Sequence, residues 1–370
     1  MVAGTEPSPG PGGPGPSAGS VSVIVTVLRD PRVERTLESL LLQTRPPAEI
    51  LVDDGGVTDT VRQIADRFHL RDPRVRHLDA PGNIAESRNA ALQQTRGEFI
   101  AFLDADEVAP PDWLAALLEP FSDPSVGFTG GPTPGAPETL RHIGARFYDG
   151  YLRRFYERVA RFHPQALPMG NTAWRSRLFR ELGPLDSSLD RQAASEDQEF
   201  ALRALARGWK GVFVPGGWVH HDFSDLGTWA LLRKQRIYAR GGFVVWRRHR
   251  STYEASPGRL FPYVALPGLV VIGAGLVAVP ALRLWGFLIA GAGGLGLGLL
   301  ALALTAWGLR QDARYPGLRF AALEIPRRWA TLLGALQGLM RYGWSGRRST
   351  SGGASNPPVR RAPSTSSGKP

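Results

Sequence analysis

The chain has 370 residues, 43% hydrophobic and 21% charged, which is enough for two or three folded units with sizeable cores. It contains no cysteine, which excludes a disulfide framework, a thiolate zinc site and a cysteine nucleophile. The formal net charge is +11, and residues 251–370, with 13 basic and 3 acidic side chains, carry nearly all of that excess. A nucleic-acid-binding domain would spread basic charge over its folded part, so composition favours a membrane protein with a near-neutral globular head.

The first half of the chain alternates strand-like and helix-like patterns. Residues 1–20 are rich in Pro, Gly and Ser and predict a disordered tail rather than a signal peptide, because they contain no Lys or Arg. Strands are predicted at 21–28, 49–53, 75–79 and 98–104, with helices at 32–43, 58–69 and 83–95. This alternation predicts an α/β sheet with helices on both faces, in a domain covering residues 21–243.

The character of the sequence changes after a basic juxtamembrane segment at 244–260. Residues 261–281 and 285–307 carry no charge, and each stretch is about long enough to cross a bilayer. Arginines flank this pair on both sides, and only Arg283 lies between the two stretches. The positive-inside bias therefore predicts a transmembrane hairpin within 261–308, with the globular domain and both termini cytoplasmic. The alternative is a pair of buried core helices.

The end of the chain is expected to stay on the cytoplasmic side. Within a segment at 309–343, residues 329–342 predict a short amphipathic helix that lies along the membrane interface. Residues 344–370 predict a second disordered tail, basic and rich in Ser.

Acidic residues end two of the predicted strands. Asp53 and Asp54 end the second strand, and Asp104 and Asp106 flank the end of the fourth. In an α/β sheet, side chains at the carboxyl ends of the strands meet along one rim, where ligands bind. Two carboxylates separated by one residue suit Mg²⁺ or Mn²⁺, which also bridge phosphates. The alternative is a solvated strand end.

Several segments together resemble a known family. They are EILVDDGGVTDT, GNIAESRNAALQQTRGEFIAFLDADEVAPPDWL, MGNTAWRSRLFRELGPLD, SEDQEFALRALARG and VPGGWVHHDF. With them, roughly residues 21–240 resemble the inverting family 2 glycosyltransferases of the GT-A fold, a Rossmann-like mixed sheet with flanking helices. The resemblance implies a nucleotide-sugar donor and a divalent ion, Mg²⁺ or Mn²⁺.

The resemblance also implies residue roles at the donor site. Asp53 and Asp54 would hold the base or ribose of the donor, and Arg88 would lie near the base. Asp104 would bind the ribose and, together with Asp106, the metal.

A second acidic site is implied at SEDQEF. Asp197 would be the general base that accepts the proton of the attacking hydroxyl, and Glu196 would orient it or bind the acceptor. From the residues alone, Ser195 would simply cap the helix that starts there. His221, six residues after Pro215, is favoured over His220 as a third metal ligand.

Departures from the family pattern concern the donor base. Thr26-Val27-Leu28-Arg29 stands where the family usually has Pro-Thr-aromatic-Asn, and Gly56 stands where it has serine. Thr26 and Arg29 are therefore candidate donor-binding residues with an open preference for the nucleobase.

Contacts to the acceptor or to phosphate are expected from a further set of residues, Asn171, Trp174, Arg236 and Arg240. The aromatic and Arg-rich stretch 132–167 is the expected acceptor-side segment; the alternative is a helix that only packs on the sheet.

The expected function is transfer of one sugar to a membrane-associated acceptor, most simply a lipid-linked glycan. Membrane lipid is then a partner, nucleic acid is not, and the oligomeric state is left open. One alternative is a subunit of a processive polysaccharide synthase, although Gln235-Arg236-Ile237-Tyr238-Ala239 does not match the Q-x-x-R-W of such enzymes. Others are a non-catalytic nucleotide-sugar-binding scaffold and a nucleotidyltransferase, which would release pyrophosphate.

Overall fold

The computed structural model describes residues 19–162, 167–188, 195–249, 261–309 and 317–342. The two predicted tails lie outside these ranges, apart from Gly19 and Ser20. The basic juxtamembrane segment is described only as far as residue 249.

The first half follows the predicted order of elements. It contains β1 Val21–Val27, α1 Val33–Leu41, β2 Glu49–Asp54, α2 Asp59–Arg71, β3 Val75–Asp79, α3 Ile84–Leu92 and β4 Phe99–Asp104. The domain continues with β5 Glu107–Val108, α4 Trp113–Leu118, β6 Val126–Gly130, α5 Ile143–Phe162, β7 Asn171–Arg175, α6 Ser176–Leu182, α7 Glu196–Ala206, β8 Lys210–Phe213, β9 His220–His221 and α8 Thr228–Arg248. Three further helices follow: α9 Phe261–Val277, α10 Arg283–Leu309 and α11 Gly317–Tyr342.

Seven strands form one mixed sheet in the order β3-β2-β1-β4-β7-β6-β8. β7 runs antiparallel to both of its neighbours, whereas the other pairs are parallel. Apolar side chains cover both faces of the sheet, with Leu37 and Trp113 in the cluster on one side and Phe128 and Trp174 in the cluster on the other. The predicted mixed α/β sheet with flanking helices is confirmed.

The register of the parallel strands brings polar residues together. Thr26 of β1 lies opposite Asp53 of β2 on one side and opposite Asp104 of β4 on the other. Because residues in register on adjacent strands point to the same face of a sheet, these three form one row at its carboxyl edge. Asp104 is the last residue of its strand, and a separate short pair, β5 with β9, follows beside it.

The predicted membrane hairpin is only partly supported. Residues Pro280–Leu304 form one stretch long and apolar enough to cross a membrane, and only 6% of it is buried within the protein. The first predicted span forms α9, whose apolar part, Ala265–Val277, is shorter because the chain turns before Pro280. α9 and α10 pack closely, since a Cβ atom on Gly273 would lie 2.4 Å from the backbone nitrogen of Ala290.

The last helix differs from its prediction in both length and position. α11 begins at Gly317, well before residue 329, and packs along α8. Between them lies a buried polar cluster in which the guanidinium of Arg327 donates to Glu324 at 2.7 Å and to Gln235 at 2.8 Å. The opposite face of α11 exposes Leu333, Leu336, Leu339 and Met340, so the helix is amphipathic as predicted.

Candidate functional site

A cavity of about 690 Å³ lies beside the carboxyl edge of the sheet. It brings together Asp104 of β4 and Asp197 of α7, which are far apart in the chain. Its other lining residues come from α3, α5, α8 and α11, among them Arg88, Tyr151, Tyr238 and Thr331. Asp106 lines a smaller neighbouring cavity with Arg32 and His220. The two acidic sites predicted from the sequence therefore share one region of the fold.

Arg88 connects the two acidic sites. Its guanidinium donates to Glu196 Oε1 at 2.8 Å, to Asp104 Oδ1 at 3.0 Å and to Thr26 Oγ1 at 3.1 Å. The side chain is almost fully buried, and burial disfavours its charged form, but the carboxylates outweigh that cost and raise its pKa. The family resemblance implies a position near the donor base for Arg88, which stays a prediction; the structure shows it bound to carboxylates of the chain itself.

A capping box fixes the helix that carries Arg88. The Asn83 side chain accepts from the backbone N–H groups of Ala85 and Glu86, and Glu86 accepts from the backbone of Asn83. This reciprocal pair defines where α3 starts. Arg88 then lies in the second turn and reaches the sheet edge.

Backbone hydrogen bonds hold the Asp197 carboxylate at the start of α7. Its Oδ2 accepts from the backbone N–H of Met169 at 3.3 Å, and its Oδ1 accepts from that of Gln198 at 2.7 Å. Burial raises its pKa, against the opposing effects of these hydrogen bonds and of Arg88. Burial and the neighbouring Asp197 also raise the pKa of Glu196. A carboxylate with a raised pKa is a stronger base.

The expected cap at Ser195 is wrong. Its side chain makes no capping hydrogen bond, and its backbone has φ +116°, a conformation that non-glycine residues rarely adopt. The Ser195 backbone N–H instead donates to Glu196 Oε2 at 3.2 Å. Unusual backbone of this kind is frequent at functional sites, where the surrounding structure maintains it.

His221 lies against the acids that follow β4. β5 pairs with β9 so that Glu107 is opposite His221, which places His221 Nε2 3.0 Å from Asp106 Oδ2 and its Nδ1 3.5 Å from Glu107 Oε1. His220 instead packs edge-on against Trp218. Burial would raise the pKa of Asp106, but the charges of His221 and Lys234 more than offset it and lower that pKa to about 2.

Glu107 is a third acid that the sequence analysis missed. It is buried, its Oε2 accepts from the backbone N–H of Asp104 at 3.1 Å, and burial together with Asp104 and Asp106 raises its pKa well above the usual value. The sequence feature that could have identified Glu107 is its position directly after Asp106. Glu107 holds the loop between Asp104 and Asp106 in shape.

The residues around Asp106 fit a divalent ion only as a partial ligand set. Among the described residues, no three His, Asp or Glu side chains are already arranged as a metal site. Asp106 and His221 are in contact, whereas Arg88 occupies one oxygen of Asp104. Mg²⁺ and Mn²⁺ commonly take one or two carboxylates and complete their coordination with substrate phosphates and water, so an incomplete protein set is compatible with them.

The two acids at the end of β2 have different roles. Asp54 accepts from the backbone N–H groups of Gly56, Val57 and Thr58, so it stabilises the turn before α2 rather than being available for the donor. Asp53 is fully buried, accepts from the Ser87 hydroxyl, and keeps Oδ2 without a partner. Burial, opposed by Ser87, raises the pKa of Asp53 to about 6.

The two departures from the family pattern are linked in space. Arg29 has φ +57° at the end of β1, and its side chain lies over Gly56. A Cβ atom at position 56 would lie 2.5 Å from Arg29 Cγ, so a serine there would clash with this arginine. Arg29 is exposed and does not line the large cavity.

Two of the expected acceptor or phosphate contacts lie in the core. Asn171 is fully buried, accepts from Trp113 Nε1 at 2.7 Å and donates to the Gly217 carbonyl at 2.9 Å. Trp174 is stacked on Phe128 with 4.4 Å between ring centroids. These side chains are committed to the packing of β7, which corrects their expected role.

The acceptor or phosphate contacts expected of the two arginines of α8 stay a prediction. Arg236 is exposed, and neither Arg236 nor Arg240 lines the cavity. The acceptor-side stretch does reach it, because Tyr148, Tyr151, Leu152 and Phe155 of α5 form part of its wall.

Comparisons with known proteins agree with the fold. Residues 22–182 match the family model "Glycosyl transferase family 2". The O-antigen biosynthesis protein RfbC of Myxococcus xanthus is 30% identical over 224 residues, which is 55% of this chain and 17% of RfbC. The succinoglycan biosynthesis protein ExoM of Rhizobium meliloti is 27% identical over 238 residues, covering 59% of this chain and 72% of ExoM. The chain thus spans well under half the length of RfbC and most of ExoM.

A solved structure shares the architecture. The mannosyltransferase PcManGT from Pyrobaculum calidifontis, solved with GDP-Man and Mn²⁺, superposes with a TM-score of 0.56 and covers 88% of each chain at 19% sequence identity. At that identity the likeness is one of fold.

Removing Arg88 should destabilise the protein strongly. Arg88→Met leaves the buried Glu196 and the partly exposed Asp104 without their shared cation, and the uncompensated charge of Glu196 costs about 3–5 kcal/mol of unfolding free energy. Urea unfolding of the purified wild-type and variant chains measures this loss of unfolding free energy. As control, Arg62→Met removes an arginine whose pair with Asp79 is 44% exposed on both sides, so the loss should be far smaller than for Arg88→Met. Equal losses in both variants would contradict the role given to Arg88.

Asp53→Asn should stabilise the protein at neutral pH. The folded-state pKa of Asp53, about 6, lies above the ordinary 3.8, so the folded chain binds this proton more tightly than the unfolded chain. The free energy of unfolding therefore falls as pH rises from about 4 to about 6. The variant should gain up to ~3 kcal/mol above that range and nothing below it.

Unfolding in urea at several pH values tests this. Asp54→Asn is the matched control, because it weakens the turn before α2 and should destabilise by about 1 kcal/mol. A wild-type chain more stable than Asp53→Asn at pH values above 6 would refute the assignment.

Proposed function

From the match of residues 22–182 to the model of glycosyl transferase family 2, we propose that the chain moves one sugar, with inversion, from a nucleotide-sugar to a membrane-associated acceptor. The observation that carries the proposal is the cavity that holds Asp104 and Asp197 together and is completed by α11, the helix after the apolar pair. One wall is acidic and faces the sheet edge, and the opposite wall is aromatic and apolar.

The donor would lie along the carboxyl edge of the sheet. The unpartnered buried oxygen of Asp53 is an acceptor for a base or ribose donor group, and Thr26 lies beside it in the same row. A buried acceptor without a partner is costly, so a ligand that donates to it gains that free energy on binding. The exposed Arg29 at the end of β1 leaves the choice of nucleobase open.

Asp197 would act as the base of a direct displacement. Its carboxylate takes the proton of the acceptor hydroxyl while that oxygen attacks the anomeric carbon, and the bond from this carbon to the diphosphate oxygen breaks. The nucleoside diphosphate leaves, and attack from the opposite face inverts the anomeric configuration. Glu196, held by Arg88, keeps the first turn of α7 oriented toward the site.

Asp104, Asp106 and His221 would hold a divalent ion at the donor diphosphate. When bound, the ion supplies positive charge that neutralises the leaving group. The chemistry of the donor set, hard carboxylate oxygens with one imidazole, suits Mn²⁺ or Mg²⁺.

The acceptor would enter from the side of α5, α8 and α11. There the wall contains Phe155, Phe243, Trp246 and Ala335, with Arg327 and Arg328 among them. Such a combination of apolar and cationic side chains suits an amphiphile with an anionic head, such as a lipid-linked glycan. α10, almost entirely unburied, would anchor the enzyme at the cytoplasmic face of the membrane, with α9 as the second arm of the hairpin.

Asp197→Asn should abolish sugar transfer and leave donor binding intact. The substitution removes the proton acceptor but keeps size and most hydrogen bonds, so the turnover should fall by at least about 100-fold. Release of nucleoside diphosphate in the presence of a membrane extract measures turnover, and calorimetry with UDP or GDP measures binding. Glu181→Gln on the exposed side of α6 is the control. Retained turnover in Asp197→Asn would show that another group is the base.

Donor binding should depend on a divalent ion through Asp106. Thermal melting with UDP, GDP or dTDP, with Mn²⁺, Mg²⁺ or EDTA, should give a stabilising shift only when nucleotide and ion are both present. Asp106→Asn should lose that shift, whereas Asp123→Asn, an exposed acid far from the site, should keep it. A nucleotide shift that persists in EDTA would argue for metal-independent binding.

A further inference from the structure

We propose that Lys234 binds the diphosphate of the nucleotide-sugar and supplies positive charge to the leaving group. The inference rests on the proposed function, since it names a residue of the same donor site. Lys234 lies in the first half of α8, one residue before the cavity-lining Gln235. It belongs to none of the motifs that the sequence analysis singled out.

Two tyrosine rings hold the Lys234 ammonium in place. Its Nζ lies 4.9 Å from the ring centroid of Tyr148 on α5 and 5.6 Å from that of Tyr238, one helical turn along α8. The Tyr238 hydroxyl also accepts a hydrogen bond from this ammonium, and because aromatic faces attract cations without accepting their N–H groups, the remaining ammonium hydrogens stay available to an anion. Tyr148 and Tyr238 both line the large cavity, so the ammonium is positioned at its edge.

The charge of Lys234 acts on the acids that follow β4. It lowers the pKa of Asp106 in addition to the larger effect of His221, and it opposes the burial that raises the pKa of Glu107. Among the described residues, no carboxylate oxygen lies within 4.0 Å of its ammonium. The Lys234 ammonium is thus near enough to act on these acids without forming an ion pair with a described carboxylate, so its charge is not already neutralised by one.

A purely packing role explains this arrangement less well. The contact between α8 and α11 already has its own polar cluster, with Gln235 bound to Arg327. A methionine or leucine between two tyrosines would pack as well and would not carry the cost of burying an ammonium. Lys234 contacts two tyrosines that line the cavity, whereas the neighbouring Arg236 is exposed, so Lys234 is the better placed of these two cations.

Calorimetry on the full chain in detergent micelles tests the inference. With Mn²⁺ present, Lys234→Met should weaken binding of UDP or GDP about tenfold or more and leave binding of the corresponding nucleoside unchanged, because only the diphosphate meets the ammonium. Lys234→Arg keeps the charge and should recover most of the affinity. Arg233→Met removes the exposed positive charge next to it on the same helix and should bind as the wild type does.

Several outcomes would overturn the inference. One is a Lys234→Met chain that melts cooperatively and binds nucleoside diphosphate like the wild type. Another is loss of affinity for dodecyl phosphate instead of nucleoside diphosphate, which would place Lys234 on the acceptor side. If Lys234→Met does not fold, Lys234→Gln, which keeps a polar side chain, takes its place. A wild-type chain that binds no nucleoside diphosphate would instead refute the proposed function.

Discussion

The shared ion pairs of Arg88 are the interaction on which the site depends. Asp104 and Glu196 are carried by elements that are distant in sequence, and one buried guanidinium satisfies both. Without that cation, two carboxylates would have to share a poorly solvated space, which folding tolerates only through protonation or rearrangement. One side chain of α3 therefore ties the carboxyl end of β4 to the start of α7.

The fold could be predicted from the sequence to a large extent. Apolar runs that end in polar residues gave β1, β2 and β4 nearly residue for residue, because a buried strand has a strong and local signature. The strand order and the antiparallel β7 could not be predicted, because pairing between distant segments leaves no local pattern. The full extent of α11 was missed for a similar reason: its first half is stabilised by contacts with α8, including the buried Arg327.

The site was predictable by residue type but not by contact. Asp53 and Asp54 are adjacent acids in one motif, yet one faces a buried hydroxyl and the other caps a turn, and only the alternation along β2 separates them. Asn171 carries a polar amide in a matching segment, but its hydrogen bonds are used within the core. Lys234 has no motif at all. The role proposed for it comes from its contact with Tyr148 on another helix and from its effect on the pKa of Asp106.

The packing of α11 on α8 restricts how the domain can move relative to the apolar helices. An anchor joined to its domain by a loose linker lets the domain swivel, so its opening samples all directions. Here α11, the helix that follows the apolar pair, is fixed to the domain by hydrogen bonds among Glu324, Arg327 and Gln235. At Gly334 it also packs closely against the Arg236 carbonyl. If α10 crosses a membrane as proposed, the cavity entrance would keep one tilt and one height above the bilayer, and the distance at which it meets an acceptor would be fixed.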